Sequence, residues 1–363
     1  MGTSAILKQV SRDPWLSALV NSIADLGADS LVWTVAKPTG KTDKRKLEGP
    51  REIRLKTLKV LSEDAEVIQL PDHELVTLLE TPGDGLTGRA LSRQLIAGLL
   101  VVGEAFLLLR RNELGRISGL TLIPASAVST VPTVGNRTFA INYQSVNGVF
   151  PETEVVWLKQ ADPDNPHGRG VGIGHALSVE LSALAAINET IQATYQRGGI
   201  PAGLIGIDAG PEGEDDPGVL DDFAKKLNQT HAGPGNAGKI QVVNGKVTFA
   251  GVSVDLQALS AAPLALQLRD TIRQAFRIPS ELLGDASSST RAQTEAALRH
   301  AYLFAVQPLL ELLRTELALK LAPLVDKSAV LDYLDLSPDA SDLQQALMTN
   351  AVTAPAFTIN EVR

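Results

Sequence analysis

One stretch limits the possible folds of this chain more than any other, running from Gly174 to about Pro323. It opens with GHALSVELSALAAINETIQATYQRGG, in which Leu177, Leu181, Leu184, Ile191 and Tyr195 recur at three- to four-residue steps and so define one apolar face of a long helix. Gly198 and Gly199 supply a stop, and the following Ile200-Pro201 pair cannot continue a helix. A second helix is expected from Val254 to Ile278, with Leu256, Leu259, Leu268, Ile272 and Phe276 on its apolar side; Pro263 falls inside it and makes a start near Leu264 the alternative. The two helices bracket about 55 residues, room for only a minimal βαββ unit at usual element lengths. The chain is thus expected to leave a body along one helix, build a small knob, and return along another.

A polar loop and a third apolar-periodic segment follow. Residues 293–323 carry Leu298, Tyr302, Leu309, Leu313 and Leu317 at helical spacing, with Pro308 among them. Proline has no amide to bond the carbonyl of Phe304 and its ring clashes there, so a kink is expected at that turn.

The N-terminal half reads as a mixed α+β scaffold. Asp13-Pro14 followed by Trp15, Leu16, Leu19, Val20, Ile23 and Leu26 predicts a capped amphipathic helix with Gly27 after its end. Strands are expected at Ser30–Ala36 and Glu66–Leu70, and a buried helix over Leu91–Gly103 feeds the strand Glu104–Arg110. That span is too short and too interrupted, with Glu104 inside it, to cross a membrane. LTLIP, FAINYQ, GVFP and EVVWLKQ add further strands before the turn-rich DPDNPHGRGVG.

At 363 residues the chain is long enough for roughly two or three compact units. It contains no cysteine, which excludes disulfides, thiolate metal sites and a cysteine nucleophile. MGTSAILKQVSRDPW lacks a signal-peptide pattern, so a cytoplasmic origin is expected. The net charge of −8 argues against a simple basic nucleic-acid binder. From Lys37 to Lys59, nine basic residues face Asp43, Glu48 and Glu52, a balance of +6 that leaves −14 elsewhere; a solvated loop and edge strand account for it.

Motifs for catalysis are weak. Gly233–Lys239 (GPGNAGK) has the spacing of a phosphate-binding loop, but it follows a helical pattern, precedes a strand, and places Ile240 where a hydroxyl is needed to hold Mg²⁺. Asp162, Asp164, Asn165 and His167 could be drawn as a metal loop, yet two prolines close by and the lack of a second ligand cluster favour a plain turn. His73, His167, His175, His231 and His300 are scattered, and the acidic loop Asp208–Asp216 reads as solvated surface. No enzyme, metal site or cofactor is expected; a nucleotide-hydrolysing enzyme using Lys239 and a helical scaffold that forms no ring are the rival readings.

Taken in order, GEAFLLLRRNELGRISGLTLIPASAV, the helix ending QRGGIPAGLI, GPGNAGKIQVVNGKVTF, the DLQ of SVDLQAL, AFRIPSELLG and TINEVR resemble the portal proteins of tailed bacteriophages, in the family associated with the HK97-type capsid. The resemblance covers the chain from about residue 90 to its end, where relatives usually continue beyond TINEVR. It implies an α+β portal fold and a ring, normally of twelve subunits, at one capsid vertex of a phage, prophage or gene transfer agent. The implied division is a wing (1–172), a first stem helix (173–199), a clip (200–253), a second stem helix (254–279), a tunnel loop (280–292), a kinked wing helix (293–323) and a short helical crown (324–363). Gly284, Asp285, Ala286, Ser287, Ser288, Ser289, Thr290 and Arg291 would face passing DNA; a plain surface place at a helix start is as good a role for Arg291. Leu204, Ile205, Ile207, Ile240, Val242, Val247 and Phe249 would make clip contacts between subunits and with partners. Double-stranded DNA held without sequence preference, the major capsid protein, the terminase and a head-tail adaptor are the implied partners, with no membrane. The protein would be assembled in the host cytoplasm and reside in the virion.

Overall fold

The computed structural model describes residues 2–38, 67–70, 72–83, 85–133, 135–196, 203–207, 247–251, 261–283 and 290–335. The chain divides into two compact units, one made of Met1–Ser178 with Arg273–Arg363 and the other of Val179–Ile272.

The first unit starts with α1 (Thr3–Arg12) and α2 (Pro14–Asp29). Asp13 begins α2 as expected, its Oδ1 accepting from the amides of Trp15 and Leu16 at 2.9 and 3.1 Å, with Pro14 in the first turn where no donor is lost. Gly27 does not end this helix. It is buried inside it, where a Cβ would sit 2.8 Å from Ile96 Cδ1 and 3.3 Å from Val306 Cγ1, so the residue is small to let neighbours approach and not to stop the helix.

Next come β1 (Leu31–Pro38), β2 (Val67–Leu70), α3 (Glu74–Glu80), α4 (Gly88–Val101) and β3 (Glu104–Arg111). Helix α4 packs on α2, burying Leu91, Leu95, Ile96 and Leu99. Strands β4 (Ile117–Ile123), β5 (Val128–Thr130), β6 (Thr138–Tyr143), β7 (Val146–Pro151) and β8 (Val155–Lys159) complete two antiparallel sheets, ordered β4-β3-β8 and β5-β6-β7. Phe106 stacks on its cross-strand partner Trp157 at 6.0 Å, and Phe139 of the other sheet meets both rings edge-on at 5.9 Å, so one aromatic cluster joins the sheets.

The helix expected to run unbroken from Gly174 is interrupted at Leu177: α5 (Ile173–Ala176) is followed by α6 (Ser178–Gln196). Leu177, Leu181 and Leu184 of the expected apolar face are buried. In the second unit, β9 (Gly203–Ile207) and β10 (Val247–Gly251) form an antiparallel pair, and α7 (Ala261–Ala275) brings the chain back. Pro263 lies in the first turn of α7, where an absent amide costs no intrahelical bond. Helix α7 stops at Ala275, three residues short of the expected Ile278, because Arg277 adopts the left-handed conformation (φ 59°). The rest of the expected βαββ unit and the Lys239 motif lie outside the described residues.

A turn of 3-10 helix at Ser280–Leu283 precedes α8 (Arg291–Ala301), a π-helical turn (Tyr302–Val306), α9 (Gln307–Lys320), α10 (Ala322–Val325) and β11 (Val330–Asp335). Helix α9 packs on α4, β8 and β11. Strand β11 pairs antiparallel with β1, Trp33 opposite Tyr333, giving the sheet order β11-β1-β2. Residues 330–335 were expected in a separate, helical C-terminal piece beginning at 324; they are instead an edge strand of the N-terminal sheet, with Leu331 and Tyr333 buried in its core.

Candidate functional site

The sequence places its DNA-facing candidates between α7 and α8, and the structure defines both ends of that segment. On one side, α7 closes with paired hydrogen bonds from Arg277 N to Gln274 O at 2.9 Å and from Ile278 N to Arg273 O at 3.3 Å. This is a Schellman turn, and Arg277 occupies the left-handed position at which glycine is usual. The Arg273 guanidinium donates to Ile278 O at 2.8 Å and tightens the same turn.

On the other side, Thr290 is the cap of α8. Its Oγ1 accepts from Gln293 N at 3.4 Å while Gln293 Oε1 accepts from Thr290 N at 2.8 Å, a complete capping box. Arg291 is therefore the first helical residue; it is exposed and its Nε donates to Glu295 Oε1 at 2.8 Å, the ordinary pairing of a helix surface. Gly284, Asp285, Ala286, Ser287, Ser288 and Ser289 lie outside the described residues.

An open groove of about 530 Å³ lies beside these two ends, lined by Arg273, Arg277, Ile278, Glu281, Gln293 and His300, among others. Among its described lining residues two guanidiniums stand beside one carboxylate, and both already donate to backbone carbonyls. His300 packs its ring against Phe304 at 4.6 Å. Arg277 reaches further and donates from Nη1 to Phe304 O at 3.1 Å. That carbonyl is the one Pro308 cannot serve, since residue 308 has no amide. The helix absorbs the proline by widening: Gln307 N bonds Tyr302 O, five residues back, and the π turn ends immediately before Pro308. The π turn overlaps the stretch from Phe304 to Pro308 at which an irregularity is expected.

Of the remaining candidates, the two described strands of the second unit bring Ile205 opposite Phe249 and Ile207 opposite Val247, with Leu204 opposite Ala250. Ile240 and Val242 lie outside the described residues. The 162–167 segment is a turn: Asp162 Oδ1 accepts from Asp164 N at 3.0 Å and Asn165 O accepts from Gly168 N at 2.9 Å. Among the described residues no group of three His, Asp or Glu is placed to hold a metal ion, and no helix is long and apolar enough to cross a membrane.

Sequence reasoning missed what fastens this turn. Glu104 is buried, with Oε1 accepting from Arg169 Nε at 2.8 Å and Oε2 from Trp157 Nε1 and the Gly170 amide at 3.3 and 3.2 Å. Arg169 also donates to the carbonyls of Ala125 and Val128 at 3.0 and 2.9 Å. Lys159 donates to the carbonyls of Pro166 and Gly168, both at 3.0 Å, and its burial lowers its pKa. A charged residue at the start of an apolar strand was the available signal, because a glutamate survives there only with full hydrogen bonding.

Comparisons with known proteins agree with this architecture. An uncharacterized protein of Rickettsia bellii (strain RML369-C) is 24% identical over 316 residues, covering 83% of this chain and 79% of its own length. The neck of an empty gene transfer agent particle with C6 symmetry superposes with a TM-score of 0.61, and the neck of the native particle with C12 symmetry with 0.57; both are 19% identical and cover 99% of this chain, and 91% and 92% of their own. An HK97 family phage portal protein from Corynebacterium diphtheriae gives a TM-score of 0.57 at 13% identity, covering 93% of this chain and 97% of its own. The phage portal protein model matches residues 53–363, well over half of the sequence, and the chain therefore belongs to the phage portal protein family.

Proposed function

We propose that this chain is the repeating subunit of a ring at one capsid vertex through which double-stranded DNA enters during packaging and leaves during ejection. The observation that carries this reading is the family match across residues 53–363. In this reading residues 1–172 are the wing, joined by the strand Val330–Asp335 that pairs with β1, 173–199 and 254–279 are the stem helices, 200–253 the clip, 280–292 the tunnel loop and 293–323 the kinked wing helix, and only residues beyond 335 are left for the crown. Twelve subunits is the proposed number, supported by the C12 symmetry of the similar gene transfer agent neck. The terminase and a head-tail adaptor are the proposed partners at the clip, where Leu204, Ile205, Ile207, Ile240, Val242, Val247 and Phe249 would make contact. The major capsid protein is the proposed partner around the ring, and the chain is structural and not an enzyme.

The mechanism follows from what moving a duplex requires. A conduit must contact DNA through its backbone without holding it, because each neutralised phosphate adds salt-dependent affinity that slows translocation. Residues 284–290 contain one acid, four hydroxyls and no base, a composition suited to weak, sequence-blind contact. Deleting Asp285–Thr290 tests the assignment. Twelve subunits of 38.5 kDa would give a particle of about 460 kDa with a central hole. The expected result is that this ring persists by negative-stain imaging and mass measurement while nuclease-protected DNA in assembled particles falls sharply. Undiminished packaging by the deletion variant would remove residues 285–290 from the DNA path; a wild-type chain that co-assembles with its capsid yet never forms a ring would overturn the reading as a whole.

A further inference from the structure

We propose that Arg277 is a positioning residue that, together with Pro308, locks the register of the helix beginning at Arg291. Three observations converge on it. First, Arg277 holds a left-handed backbone (φ 59°) that L-residues other than Gly, Asn and Asp adopt at a cost, at a turn where glycine would serve the backbone better. A side chain is retained there, and its guanidinium bonds Phe304 O at 3.1 Å. Second, Pro308 removes the amide that would claim that carbonyl in a regular helix. Third, the bond from Gln307 N to Tyr302 O shows that the helix carries one extra residue in this turn.

The burial pattern records the consequence. Extending the apolar face of α9 back at α-helical spacing from Leu309 leads through Tyr302 to Leu298. Leu298 is 40% exposed, whereas Ala297 is 7% exposed and Ala301 fully buried. Inserting one residue turns everything N-terminal to it by about 100°, and that turn carries Leu298 out and Ala297 in. Helix α8 thus has two registers: the observed one, with small residues inward, and a continuous α-helical one, with Leu298 inward. Arg277 favours the first, because its hydrogen bond to Phe304 O ties the end of α7 to the π turn in the observed register. The lock is exposed to solvent beside the groove, so it is reversible. It sets where Thr290 and Arg291, the start of α8, stand; the link to DNA passage rests on the function proposed above, whereas the lock itself does not.

The chain has no cysteine, so single engineered thiols report the register without background. In an otherwise wild-type chain, Leu298→Cys should react rapidly with a maleimide probe and Ala297→Cys slowly. Arg277→Gly keeps, and relaxes, the left-handed turn while removing the donor; it should slow labelling at position 298 and speed it at 297, each by roughly tenfold, the effect expected from losing a charged hydrogen bond. Arg277→Lys, which retains a donor, should keep the wild-type pattern, and Pro308→Ala should move it in the same direction as Arg277→Gly. Circular dichroism of each variant confirms that the fold is intact. Unchanged labelling at both positions in folded Arg277→Gly protein would overturn the lock. Packaging by Arg277→Gly particles reads the functional consequence separately: swapped labelling with normal packaging would leave the lock standing and count against the tunnel-loop assignment alone.

Discussion

Asp326 is the residue whose surroundings most clearly set a pH dependence. Its Oδ1 accepts from Ser328 Oγ and Ser328 N at 2.7 and 2.8 Å, and its Oδ2 lies 3.2 Å from Lys37 Nζ and 3.3 Å from His73 Nε2. The Ser328 bonds first, and then Lys37 and His73, hold the carboxyl far below the usual carboxylate range, against the opposing effect of burial. His73 also accepts from Leu75 N at 3.1 Å through Nδ1, capping α3, which assigns its proton to Nε2 facing Asp326. A depressed carboxylate stabilises the fold fully above its unfolded-state pKa of about 4 and loses that contribution as pH falls toward the folded-state value. Urea midpoints measured between neutral and acidic pH should therefore show wild type above Asp326→Asn at neutrality, with the two converging below about pH 4. Parallel curves would mean that the charge of Asp326 contributes nothing.

Among the elements, the two ends of β3 show how a glycine serves packing in one place, the α4–β3 junction, and conformation alone in another, the turn into β4. Gly103 has φ 85°, and a Cβ there would lie 2.3 Å from Gly172 N and Val171 C, both backbone atoms that cannot step aside. Gly115 has φ 75° with nothing within 4 Å. Gly103→Ala should thus destabilise by about 3 kcal/mol or more, adding a backbone clash to the left-handed strain, while Gly115→Ala should cost only about 1 kcal/mol; equal costs in urea unfolding would refute the close approach. This junction also shows what was legible in the sequence. The order α4 to β3, the Asp13 cap and most strands follow from local periodicity and capping chemistry. What escaped depends on distant partners: Gly27 reads locally as a stop, and only Ile96 and Val306 make it a packing residue. Leu298 fits the apolar stripe perfectly on paper, and only the π turn before Pro308 moves it outward. Val330–Asp335 needs β1, some three hundred residues earlier in the chain, to become a strand. Of the candidate site, the helices flanking residues 284–289 were legible, but Arg277 was not, because no local pattern announces a guanidinium that bonds a carbonyl 27 residues further along the chain.

At the scale of the whole molecule, charge decides how a ring of such chains can treat DNA. Each subunit carries a net −8, so a twelve-membered ring carries roughly −100 and repels a duplex except where local groups oppose the field. With Asp285 as the one charge in residues 284–290, the proposed DNA-facing loops add to that repulsion. Asp285→Lys would change the charge of a twelve-membered ring by about +24, enough to condense against several phosphates at once. Purified wild-type rings should then show no saturable binding to a short duplex at about 0.15 M salt, while Asp285→Lys rings should bind it with an affinity that falls steeply as salt rises. In assembled particles the same variant should package more slowly and release DNA less completely, because a conduit that grips its cargo must break those contacts at every step. A variant ring that binds no better than wild type would place residue 285 away from the duplex, independently of whether the ring forms.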